Sequence, residues 1–138
     1  MVVRLAHVCI ETADFGPTEE FYSYLGINRQ FEFRNKQNEL VGVYLTIGET
    51  TYIEIIKVKH PKSEGNMRHF ALQVEDVDAT RELLMSKGVE VTEKELGIDH
   101  TLMVTCHDPN GNFIEFHQYT DKSMQQHGGV CEIDYTPA

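Results

Sequence analysis

The order of strand and helix signals occurs twice along this chain, and a repeat has to fold as two copies of one unit. His7 and Gly26 stand 19 positions apart, and so do His69 and Gly88. In the first half a strand-like stretch at 2–10 carries His7 and is followed by an acidic turn at Asp14. A helix comes next, with Pro17 near its start and Gly26 after its end. In the second half a strand at 69–74 carries His69, Asp76 and Asp78 offer caps, a helix runs from about 79 to 87, and Gly88 closes it. Asp before a helix, Pro in its first turn and Gly past its last residue are boundary signals.

Each half continues with three more strand-like segments, at 28–34, 39–47 and 51–58, then at 89–95, 101–107 and 112–119. Gly48-Glu49 separates the last two in the first half, and Asp108-Pro109-Asn110-Gly111 in the second. Both read as hairpin turns. The fourth strand of each half carries a glutamate among apolar neighbours, Glu54 in Tyr-Ile-Glu-Ile-Ile and Glu115 in Phe-Ile-Glu-Phe. His7 to Glu54 is 47 positions and His69 to Glu115 is 46. The pattern predicts an α+β fold of two paired βαβββ modules.

Side chains alternate between the faces of a strand. Val8 and Ile10 oppose His7, Cys9 and Glu11; Phe70, Leu72 and Val74 oppose His69, Ala71 and Gln73. Ile53 and Ile55 oppose Glu54, and Ile114 and Phe116 oppose Glu115 and His117. The apolar face of each strand packs under the helices in this reading, and His7, Glu54, His69 and Glu115 all fall on the other. If that face curls round a cavity, four ligands meet there. A glutamate between Tyr52 and Ile56 on its own face asks for a cation. Two imidazoles and two carboxylates suit one divalent ion such as Ni, Co, Zn, Mn or Fe. Taken singly, each of these residues is equally at home on a solvated sheet face; their symmetric placement favours ligation. His117, Glu11 and Gln73 share these faces and either line the pocket, with His117 a base behind the ligands, or sit at solvated strand positions. His60, His100, His107 and His127 read as surface residues.

A length of 138 residues suits a single domain, here 1–120 with modules at about 1–60 and 67–120. Residues 121–138 read as a polar tail containing Gly128-Gly129. The net charge of -10 argues against nucleic acid, whose binders carry basic patches. No apolar run approaches the ~20 residues of a membrane span. Arg4 and His7 break up the early apolar residues, so the N-terminus is unlike a signal peptide and a cytoplasmic location is expected. Cys9, Cys106 and Cys131 form no CxxC pair and are expected to be reduced. Cys9 reads as a buried structural thiol, with a nucleophile as the alternative.

His7-Val8-Cys9-Ile10, Glu20-Phe21-Tyr22 with Leu25-Gly26, His69-Phe70-Ala71-Leu72-Gln73-Val74 and Asp108-Pro109-Asn110-Gly111-Asn112-Phe113-Ile114-Glu115 carry a resemblance to the vicinal oxygen chelate superfamily. That superfamily includes glyoxalase I, extradiol dioxygenases, methylmalonyl-CoA epimerase and the fosfomycin and bleomycin resistance proteins. The resemblance covers about residues 3–119. It implies a curved mixed sheet around a metal cavity, with His7, Glu54, His69 and Glu115 as ligands, and a homodimer. The His-Glu-His-Glu order resembles glyoxalase I, a lyase whose hemithioacetal substrate passes through a metal-bound enediolate. It makes Glu54 and Glu115 the candidates for moving the proton. Small bacterial glyoxalase I enzymes carry Arg and Asn, used for glutathione, four residues after the first His and the first Glu. Here those positions hold Glu11 and Val58, which implies a different thiol or another small α-oxygenated substrate. An extradiol-type dioxygenase and a metal-free drug-binding module of the bleomycin resistance type are the alternatives.

Overall fold

The computed structural model describes residues 1, 4–63, 65 and 67–137. They form two compact units. The first comprises Met1–Asn66 with Asp108–Gly111, and the second Met67–His107 with Asn112–Ala138.

The first unit runs β1 (His7–Thr12), α1 (Phe15–Tyr24), β2 (Asn28–Arg34), β3 (Leu40–Ile47) and β4 (Thr51–Lys57). The second runs β5 (Phe70–Gln73), α2 (Val77–Ser86), β6 (Glu95–Leu96), β7 (Leu102–His107), β8 (Phe113–Gln118) and a short α3 (Met124–His127). Each unit holds an open four-stranded mixed sheet, ordered β1-β4-β3-β2 and β5-β8-β7-β6. The first strand of each module lies parallel to its fourth, and the hairpin-linked strands pair antiparallel. The α+β class and the βαβββ repeat are therefore both present. Val2 and Val3, which the first strand was expected to include, lie outside the described residues, and β1 itself runs on to Thr12.

The helix boundaries follow from the capping chemistry. Asp14 accepts the Gly16 N–H, and Asp76 accepts those of Asp78 and Ala79. Gly26 and Gly88 stop the two helices at φ +73 and +83, a region costly for residues with a Cβ. In the first unit α1 brings Phe21 and Tyr22 into a core that also holds Val43, Leu45, Ile53 and Ile55. The core of the second unit holds Val77, Leu84, Val104, Ile114 and Phe116. Burying each such side chain contributes about 1.5–3 kcal/mol, and this fixes the register. A slip of one residue would turn His7 and Glu54 into the core.

One strand is displaced. A strand was expected at 89–95, yet β6 is only Glu95–Leu96. Thr92 touches β7 at a single point: its N–H donates to the Thr105 carbonyl, and its hydroxyl accepts the Thr105 N–H. The Thr92 carbonyl accepts from the Arg81 guanidinium of α2, while the Thr105 N–H goes to the Thr92 hydroxyl in place of that carbonyl.

The Asp-Pro-Asn-Gly turn connects β7 to β8 but packs in the first unit. The buried Tyr22 hydroxyl donates to Asp108 Oδ2 at 2.7 Å, and Asn110 donates to the Thr18 hydroxyl at 2.9 Å. Tyr22→Phe leaves the buried Asp108 carboxylate one donor short. The unfolding free energy is expected to fall by about 2 kcal/mol, the scale of a hydrogen bond to a charged group, seen as a lower urea midpoint at unchanged slope.

Residues 120–127 are held to the second unit. Ser123 is fully buried, its hydroxyl donates to the His100 carbonyl and accepts from Thr101, and the Met124 N–H donates to the Asp99 carbonyl. No helix among the described residues is long and apolar enough to cross a membrane.

Candidate metal-binding faces

In the first unit the β1–β4 register sets Cys9 beside Glu54 and His7 beside Tyr52. His7 thus lies two residues before the partner of Glu54, on the same face. In the second unit Ala71 stands beside Glu115, and His69 lies two residues before Ala71. The repeat read from sequence is therefore also a repeat of register. Each unit displays one imidazole and one carboxylate in the same diagonal relation.

His7 Nε2 lies 3.1 Å from Glu54 Oε2, and His69 Nε2 lies 3.4 Å from Glu115 Oε2. The imidazoles are 37% and 39% exposed and the carboxylates 21% and 16%, so the rings are open to a ligand while the acids are partly sheltered. The spacing of each pair fits a shared cation. Ligand distances of about 2.0–2.2 Å put adjacent donors roughly 3 Å apart. Among the described residues no group of three or more His, Cys, Asp or Glu gathers to hold an ion; what each unit supplies is a pair.

The surroundings of the two pairs differ. In the first, Tyr44 lies opposite Glu54 on β3, and its hydroxyl is 2.8 Å from His7 Nδ1. Phe31 stacks on Tyr44 at 4.6 Å and 18°, with Phe33 at its edge and Tyr52 tilted against it. Phe31 and Phe33 remain exposed, so this face carries an aromatic wall. Partial burial and then the charge of Glu54 raise the Tyr44 phenol above its ordinary range, which keeps it protonated. In the second pair, His117 Nε2 meets the same Glu115 oxygen at 2.8 Å. Both rings address that one carboxylate. His117 thus stands beside the acid rather than at a solvated strand end.

Glu11 has a structural task, accepting the Lys62 backbone N–H at 2.7 Å. Val58 lines a separate concavity of about 430 Å³ with Ala13, Leu40, Lys57 and Lys59, which contains none of the four candidate ligands. Gln73 is exposed opposite His117. His60, His100, His107 and His127 are exposed, as expected.

Cys9 corrects an expectation: it is exposed rather than buried, because it shares the uncovered face with His7. Partial desolvation of the sulfur, then the charges of Glu54 and Glu11, raise its pKa. The thiol stays protonated and is a poor nucleophile.

Sequence reasoning missed Tyr44. Its place in an alternating strand was visible, but its contact with His7 depends on the pairing of three strands.

The family model of the Glyoxalase/Bleomycin resistance protein/Dioxygenase superfamily matches residues 4–116. The trypanothione-dependent glyoxalase I of Leishmania major is 25% identical over 91% of this chain and 92% of its own, with a TM-score of 0.72. A glyoxalase family protein from Enterococcus faecalis is 22% identical over 83% of this chain and 97% of its own, at 0.71. A bleomycin-binding protein in complex with bleomycin is 19% identical over 86% of this chain and all of its own, at 0.65. These last two likenesses are of fold. No curated protein matches the sequence. With the family model spanning most of the chain and both modules folded as the repeat requires, this protein belongs to the glyoxalase/bleomycin resistance protein/dioxygenase superfamily.

Proposed function

We propose that this chain is a glyoxalase I-like, metal-dependent lyase or isomerase acting on a small α-oxygenated substrate such as the hemithioacetal of methylglyoxal and a thiol. His7, Glu54, His69 and Glu115 would hold one divalent ion, Ni, Co, Zn, Mn or Fe. The reading has the chain work as a cytoplasmic homodimer. The observation that carries it is the equivalence of register: Cys9 beside Glu54 and Ala71 beside Glu115, with a histidine two residues earlier in each module. A solvated sheet face has no reason to repeat a His–Glu pair at the same diagonal twice.

When bound, the ion supplies positive charge that favours negative charge developing on neighbouring substrate oxygens. The chain supplies the proton transfer between adjacent carbons. Glu54 and Glu115 are the bases within reach of that face. Glu115 already accepts from His117, which commits one of its oxygens. Glu54 has the longer contact, to His7 alone among the contacts described, and is the better placed to take the proton and return it. The wall of Phe31, Phe33 and Tyr44 offers apolar shelter beside it. With Glu11 committed to the Lys62 backbone and Val58 in place of an amide, this face offers little to an anionic glutathione arm.

The exposed Phe31 and Phe33 rings favour one second reading, a binding module for a planar drug without turnover. Elemental analysis of protein purified without a tag, paired with rate assays on methylglyoxal and a panel of thiols, tests the proposal. About one divalent ion per chain and turnover with at least one thiol are expected. Oxygen uptake with a catechol in place of lyase turnover would put a dioxygenase in its stead. Ligand binding with neither metal nor turnover would leave the drug-binding module.

A further inference from the structure

Tyr44 stands in one register row with Phe31, Glu54 and Cys9. Its ring is held by the stack on Phe31, by the edge contact with Phe33 and by the tilted ring of Tyr52, so its hydroxyl has a fixed origin 2.8 Å from His7 Nδ1. On the other side of the imidazole, Nε2 lies 3.1 Å from Glu54 Oε2. When the phenol donates to Nδ1, the neutral imidazole carries its proton on Nε2. Ligation of a cation by Nε2 needs the reverse. The Nε2 lone pair must be free, the ring proton sits on Nδ1, and the phenol oxygen accepts a hydrogen bond from it. A phenol does both by turning its O–H about the C–O bond; the total number of protons is unchanged.

We infer that Tyr44 is a positioning residue that holds the His7 ring in both proton arrangements and so preorganises the first module's half of the proposed metal site. The inference rests on that metal-binding reading. Among the described residues the second module has no equivalent. Thr105 faces Glu115 as Tyr44 faces Glu54, but its hydroxyl pairs with Thr92 at 3.2 Å. His69 meets only the edge of Phe113 among the ring contacts described, 5.9 Å away. There the additional hydrogen bond goes to the carboxylate, from His117. The two modules thus fix opposite members of the same pair: the imidazole in the first and the acid in the second.

The test compares wild type, Tyr44→Phe and Thr105→Val as full chains. Zinc affinity is measured by competition with a chromophoric chelator, and ring ¹⁵N NMR of His7 is recorded before and after zinc. Wild-type His7 is expected to be protonated at Nε2 without zinc and at Nδ1 with it. Tyr44→Phe keeps the ring and its stacking but is expected to bind zinc about 10-fold more weakly, the scale of losing a hydrogen bond behind a ligating histidine. Its metal-free His7 should average both tautomers while the His69 signals stay as in wild type. Thr105→Val should bind zinc like wild type. Unchanged affinity, or an unchanged His7 tautomer, in Tyr44→Phe overturns the inference. So does a metal-free wild-type His7 already protonated at Nδ1, whether or not the variant folds. Wild type that binds neither zinc nor nickel, cobalt, manganese or iron overturns the proposed function instead, and the metal-free spectra then decide on their own whether Tyr44 orders His7.

Discussion

Replacing both His7 and His69 with Ala is expected to leave the chain folded and without its divalent ion. Sites with four donors bind zinc with about 10–16 kcal/mol, roughly 3 kcal/mol per donor, so losing two should weaken binding by ~10⁴. Metal content per chain should fall from about one to below a tenth after dialysis. The folded state should hardly notice. The His7 and His69 side chains are 37% and 39% exposed, and surface substitutions of this kind change stability by about 0.5 kcal/mol. The melting temperature of metal-free variant and metal-free wild type should therefore agree, which separates a ligand role from a packing role. Acidification should release the ion from wild type as well, because only a neutral imidazole coordinates. Stoichiometric metal retained by the double variant would end the metal assignment.

What the sequence makes legible here is whatever is written locally. The helices are bracketed by Asp14 and Gly26 and by Asp76 and Gly88, and these caps are the ones the chain uses. The strands around Glu54 and Glu115 announce themselves by alternation, because one face of each is core. The illegible parts are set by partners far along the chain. At the expected strand 89–95 the Thr92 carbonyl accepts from Arg81 on α2 and the Thr92 hydroxyl takes the Thr105 N–H, side-chain bonds that stand where a ladder was expected. The Asp-Pro-Asn-Gly segment reads as a turn, yet its Asp108 is also a buried acceptor for Tyr22, 86 positions away. Cys9 was misread because a small apolar residue suggests burial, whereas its face is decided by His7 two residues earlier. The candidate ligands could be named from the repeat alone; what stands behind each, Tyr44 for His7 and His117 for Glu115, required the register.

Changing Glu54 to Gln is expected to slow turnover by about 10²–10⁴, the range associated with a positioned general base, while most of the metal stays bound. Gln keeps the shape of the side chain and an oxygen that can ligate, and Ile53 and Ile55, both fully buried, hold the backbone at this position. What it loses is the ability to accept a proton. The contrast with Glu115→Gln sharpens the expectation. Glu115 Oε2 already accepts from His117 at 2.8 Å, with His69 at 3.4 Å, so its carboxylate is the more committed of the two. Its loss should appear mainly as weaker metal binding, with a smaller effect on kcat at saturating metal. Turnover of both variants with methylglyoxal and the active thiol, each at measured metal content, checks this. A large drop in kcat for Glu54→Gln at wild-type metal loading assigns the proton transfer to β4 of the first module. An undiminished kcat removes Glu54 from the chemistry, and if Glu115→Gln then loses it, the base lies in the second module. In a dioxygenase the Glu54 substitution would leave oxygen uptake nearly unchanged, and a drug-binding module would offer no rate to alter. The single substitution therefore separates the three readings the fold permits.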